Sequence, residues 1–99
     1  MAGYRIEVTE NAKGDLLIYT TFERKTITFA IREQLAQQPS VETRKRKKLR
    51  DNPVAFWELR AERYRIFYEV DEPDRKVTII AVGHKEHNTL YIRGKEMQL

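Results

Sequence analysis

The hydrophobic period of this chain changes twice, and those changes constrain the fold more than any single motif. Tyr4, Ile6 and Val8 alternate with Arg5 and Glu7, the period of a half-buried strand. From Glu10 the spacing becomes helical: Ala12, Leu16 and Tyr19 fall at i, i+4 and i+7, then Ile27, Ile31 and Leu35 at i, i+4 and i+8. Two amphipathic helices are predicted, about 10–19 and 22–38. Thr20 or Thr21 caps the second, and Pro39-Ser40 closes it. After a break at Asn52-Pro53 the period returns to that of strands, predicted over 55–61, 64–71 and 76–84. Tight turns at Glu62-Arg63 and at Glu72-Pro-Asp-Arg75 join them. In the middle strand Tyr64, Ile66, Tyr68 and Val70 share one face, while Arg65, Phe67 and Glu69 share the other. Residues 77–82 are apolar on both faces, as in a central strand. The expected architecture is α+β, of order β-α-α-β-β-β. Two N-terminal helices pack on one face of a mostly antiparallel four-stranded sheet, in a single domain spanning 1–99. Arg60 or Arg65, on the uncovered side, then lines an exposed basic concavity.

Ninety-nine residues suffice for one hydrophobic core and not for two. Nineteen Lys+Arg against fifteen Asp+Glu give a net charge of +4, and six of the basic side chains fall within the seven positions 44–50. Without that block the chain is close to neutral. Such asymmetry points to a local anionic partner, with nucleic acid ahead of an acidic protein or a membrane surface. The chain has no cysteine, which excludes disulfides and thiolate chemistry and fits a reducing compartment. No apolar run approaches the roughly 18 residues of a membrane span, and the N-terminus lacks a signal-peptide core. A cytoplasmic protein without membrane contact is expected.

If the strands pair as read, Arg65, the run His84-Lys85-Glu86-His87 and Tyr91 can meet, with Arg60 and Arg50 approaching from the preceding strand and loop. An arginine fork suits a phosphate, a histidine exchanges protons near neutral pH, and a tyrosine can stack on a base. Together they could cleave RNA through its own 2′-OH. Nothing in the sequence forms a carboxylate cluster for two metals, and two histidines without cysteine make a poor zinc site. No metal or cofactor is expected. Read residue by residue, the chain is a small basic α+β domain that binds anions.

The segment WELRAERYRIFYEV at 57–70, followed by AVGHKEHNTLY at 81–91, resembles the RelE/ParE superfamily of toxins from toxin–antitoxin pairs, over nearly the whole chain. The resemblance implies a RelE-like fold and a cognate antitoxin that holds the toxin in a hetero-oligomer. It also implies one of three roles. The leading one is ribosome-dependent, metal-independent cleavage of mRNA that inhibits translation, with ribosome and mRNA as partners. The alternatives are a ParE-like inhibitor of DNA gyrase and a catalytically weak relative acting mainly in a regulatory complex.

Carried onto this chain, the ribonuclease branch's phosphate-stabilising arginine falls on Arg65, its second catalytic cation on Lys85 and its base-stacking tyrosine on Tyr91. A lysine pair used there as base and charge stabiliser is replaced by Phe56 and Glu58. Arg50 and Arg60 match basic residues of the YoeB-type branch, whose glutamate base falls near Lys47. His87 and then His84 are the expected substitutes for the missing base. The block Arg44, Lys45, Arg46, Lys47 and Lys48 is expected to dock on RNA phosphates, with Arg50 entering the site.

Overall fold

The structure, a computed structural model, describes residues 3–50 and 55–97. The elements are β1 (Arg5–Val8), α1 (Glu10–Leu17), α2 (Thr21–Leu35), β2 (Arg46–Lys48), β3 (Trp57–Ala61), β4 (Tyr64–Asp71), β5 (Lys76–Glu86), β6 (Thr89–Ile92) and β7 (Lys95–Met97). Both helices begin on a threonine. The Thr9 hydroxyl accepts from Ala12 N at 3.2 Å and donates to Ile79 O at 2.9 Å, tying the start of α1 to β5. Thr20 forms a reciprocal capping box with Glu23, through bonds of 3.1 and 2.8 Å. Helix α2 ends earlier than its periodicity suggests. Pro39 has no N–H to continue the ladder from Leu35, and the Ala36 carbonyl is taken at 2.8 Å by Tyr4 N at the mouth of β1. No described helix is long and apolar enough to cross a membrane.

The sheet runs β2-β3-β4-β5-β6-β7, antiparallel throughout, and β1 pairs with β5 in parallel. Strand β5 is long enough to serve two partners on one edge. Strand β1 lies opposite Lys76 to Ile79, and β6 opposite Gly83 to Glu86. Gly83 makes the second pairing possible, because a methyl group there would collide with the Tyr91 carbonyl and the Ile92 side chain. The expected layering of two helices on a mostly antiparallel sheet is observed. The count differs: seven strands among the described residues, not four. Strands β2, β6 and β7 are three or four residues long, too short to show a period. The Asn52-Pro53 break lies outside the described residues.

The core fills the space between helices and sheet. Ile27 and Leu35 of α2 meet Leu59, Ile66, Tyr68, Val77, Ile79 and Val82, all fully buried. A smaller cluster of Phe67, Ala81, Leu90, Ile92 and Ala55 sits on the opposite face, where the sequence suggests an open basic concavity. The centre of that face is therefore apolar, with cations around it. Between Phe67 and Tyr68 the β4–β5 register shifts, so that Ile80 has no partner across the ladder. This bulge resets the alternation of β5. Val77, Ile79 and Val82 face the helices, whereas Ile80 and Ala81 join the outer cluster.

Candidate functional site

The bulge decides which way the side chains at the far end of β5 point. Beyond Val82 the alternation places His84 on the helix side and Lys85 on the outer face. On the outer face lies a groove of about 460 Å³, lined by Arg50, Glu58, Arg60, Lys85, Asn88, Thr89 and Glu96 over the apolar side chains of Leu49, Leu90 and Met97. Glu58 is 5% exposed, and its Oε1 accepts from Arg60 Nε at 3.1 Å, while the Arg60 side chain remains 43% exposed. Arg65 stands opposite Arg60 in the β3–β4 ladder, just outside the groove lining. Its Nη1 donates to the carbonyls of Glu62 and Tyr64, both at 2.8 Å, and its buried Nε has no partner among the described residues. Burial lowers its pKa, the charge of Glu58 works against that shift and Arg60 adds to it; the guanidinium stays protonated at any working pH.

The helix side of the same strands holds a different assembly. The Tyr19 hydroxyl and His84 Nδ1 are 2.8 Å apart, and His84 Nε2 is 3.2 Å from Glu86 Oε2. Burial pushes the Tyr19 phenol up to about 12, so it keeps its proton and donates to Nδ1. That arrangement selects the tautomer with the proton on Nε2, aimed at Glu86. The Tyr91 ring stacks on His84 with centroids 5.7 Å apart and planes inclined by 23°, and Tyr19 meets both His84 and Tyr64 edge-on. Glu23 completes the neighbourhood. The Thr20 N–H, the Tyr64 hydroxyl and the Arg63 guanidinium hold its carboxyl down to about 2.

The five residues expected to form one catalytic cluster are thus distributed over three places. Arg65 and Lys85 belong to the outer face, and His84 and Tyr91 to the helix side. His87 is exposed at the tip of the β5–β6 hairpin, where it and Asn88 take φ values of +51° and +70° in a two-residue turn. Neighbours in a strand point to opposite faces, so His84 and Lys85 cannot serve one site.

The basic block is also divided. Arg46 is only 7% exposed. Its Nε donates to Val41 O at 2.8 Å, and its Nη1 donates to Gln34 O and Gln34 Oε1 at 2.9 and 2.8 Å, which ties β2 to the end of α2. The expectation of a uniform RNA-docking surface therefore needs correction at Arg46, which is buried with its Nε and Nη1 engaged inside the fold. Arg44, Lys45, Lys47, Lys48 and Arg50 remain exposed, with Lys47 across the ladder from Glu58.

Sequence reasoning missed two acids. Glu58 appears in it only as a departure from the lysine pair. The available signal was its placement at i, i+2 with Arg60 on one strand face. Asp15, buried on α1, accepts from Val82 N at 2.9 Å and pairs with Arg93 Nε at 2.7 Å, fastening α1 to the β6–β7 turn. Burial raises its carboxyl pKa, against the pull of the Val82 N–H and Arg93.

Comparison with solved structures finds the same fold in two toxin–antitoxin complexes. The RelBE2 complex from Mycobacterium tuberculosis superimposes with a TM-score of 0.71 at 24% identity, over 86% of this chain and 94% of that one. The archaeal RelE–RelB complex from Pyrococcus horikoshii OT3 gives a TM-score of 0.67 at 15% identity, over 85% of this chain and 97% of that one. A search of curated proteins gives no match. The family model of the ParE toxin of the type II toxin–antitoxin system parDE matches residues 6–89. A match of that extent decides the matter: this chain belongs to the ParE toxin family and is a RelE/ParE-type toxin of a type II toxin–antitoxin system.

Proposed function

We propose that the chain is an endoribonuclease that cleaves mRNA on the ribosome. The observation that carries this reading is the convergence of Arg50, Arg60 and Lys85 on one groove. A phosphodiester laid along that groove meets cations that neutralise it in the ground state and stabilise the additional charge of the pentavalent transition state. The nucleophile is the substrate's own 2′-OH, so the chain needs only to orient the phosphate, take up one proton and deliver another. Arg65, next to Arg60 and with a donor unpaired among the described residues, adds charge at the end of the groove. The exposed cations Arg44, Lys45, Lys47 and Lys48 hold ribosomal RNA phosphates beside it.

A cognate antitoxin as partner, in a hetero-oligomer, follows from the family, and the two similar structures named above are toxin–antitoxin complexes. Action on the ribosome requires the toxin to be in the cytoplasm. A second reading, inhibition of DNA gyrase, is favoured by the ParE description of the family model. Primer extension on translated mRNA after induction separates the two. Discrete cuts within coding sequence are expected. Intact mRNA together with a loss of negative supercoiling would establish the gyrase reading instead.

A further inference from the structure

We infer that Glu58 is the general base of the cleavage reaction, a step that rests on the endoribonuclease reading above. The groove restricts the choice of proton acceptor. His84 and Tyr91 face the helices, and His87 sits at the hairpin tip. Lys85 and the arginines enter the reaction charged and have no lone pair to offer. Two carboxylates line the groove. Glu96 is an exposed side chain on the terminal β7, whereas Glu58 is buried on β3 among Arg60, Lys47 and Arg65. The ion pair with Arg60 engages Oε1 of Glu58. Oε2, the oxygen that Arg60 does not hold, accepts the proton of the 2′-OH. The Arg60 bond also fixes the carboxylate on the face where the cations hold the phosphate.

The step balances within the site. The Glu58 carboxylate takes the 2′-hydroxyl proton as the O2′–P bond forms. The P–O5′ bond breaks with its electron pair on O5′, and the Lys85 ammonium protonates that oxygen. The products are a 2′,3′-cyclic phosphate and a 5′-hydroxyl, and Glu58 and Lys85 exchange protons with solvent to restore the site.

The test uses the whole protein on mRNA-programmed ribosomes under single-turnover conditions. For the parent, cleavage to a 2′,3′-cyclic phosphate end is expected, with a rate that falls on the acid side as the carboxylate is protonated. For Glu58→Gln, which keeps an oxygen for Arg60, the rate is expected to drop by roughly 10²–10⁴ and to lose its acid limb, with ribosome affinity unchanged. Glu58→Ala is expected to regain part of its rate when formate is added, a response that loss of structural support alone does not give. A parent that leaves mRNA intact overturns the ribonuclease reading and the base with it. A parent that cleaves while Glu58→Gln keeps the full rate and its acid limb overturns the base alone. If Glu58→Gln fails to fold, the Glu58→Ala response decides, and a folded Glu58→Ala that formate does not rescue overturns the assignment.

Discussion

The two faces of the sheet are built from the same strands and finish in opposite conditions. On the helix side Tyr19, His84, Glu86, Tyr64, Glu23 and Arg63 satisfy one another through bonds of 2.8 to 3.2 Å, over a buried core. On the outer face a small apolar patch is bordered by half-exposed cations gathered around the buried Glu58. One face has spent its polar groups on the fold, and the other leaves its cations exposed along a groove. A set of residues that looks catalytic in one dimension is therefore divided, between adjacent positions, over the two faces of the sheet.

The sharpest way to break this comparison is at those adjacent positions. Lys85→Ala is expected to lower the single-turnover cleavage rate on the order of 10²–10³, the scale for removing one preorganised charge stabiliser, with little change in melting temperature. His84→Ala is expected to do the reverse, lowering the melting temperature while the cleavage rate holds. Rates and melting curves of both variants check the pair, and an equal fall in rate for both would erase the division between faces.

A smaller effect separates Arg46 from its neighbours. Arg46→Ala leaves the carbonyls of Val41 and Gln34 without their charged donor, at a cost of about 2 kcal/mol, seen as a melting shift on the order of 10 °C. Gln at Lys45, Lys47 and Lys48 should leave the melting curve in place and flatten the salt dependence of ribosome binding. The logarithmic slope is expected to change by roughly 0.7–0.9 for each phosphate that is no longer neutralised. Filter binding across a salt series measures it.

The smallest effect concerns acid. Glu23 is held at about 2 in the fold, below its ordinary value of 4.5. The stability it contributes is present above pH 4.5 and is lost as the pH falls toward 2. Glu23→Gln is expected to flatten the fall of melting temperature across that window, while Glu58→Gln on the other face acts on rate.

Much of this fold is legible before any coordinates. The helical spacing of Ile27, Ile31 and Leu35 marks the buried stripe of α2, and all three are buried. Thr20, one of the two threonines expected to cap α2, does so, and the alternation in β4 assigns its two faces correctly. Short strands escape because three residues carry no period. The bulge escapes for a subtler reason. From Val77 to Val82 nearly every side chain is apolar, so a skipped residue at Ile80 leaves no trace in the pattern, yet it determines where His84 and Lys85 point. The site was therefore readable as a composition of cations and not as an arrangement. Glu58, visible only as the wrong residue for a lysine, gains its meaning from the groove that surrounds it.

The sharing of one β5 edge by β1 and β6 also bears on how the molecule comes into being. Thr9, at the end of β1, is bonded to Ile79, 70 residues away in the chain. During synthesis the first strand and α1 emerge without the β5 edge they pack on, while the apolar stripe of α2 meets β3 and β4 first. Pairings of such long range make folding slow and late, because the loop must close before any of them is rewarded. The packing around Gly83 and the Arg93 ion pair form in that same final stage. A nascent chain interrupted before β5 thus carries the basic block but no assembled groove, and the toxin matures only as the end of its sheet is made.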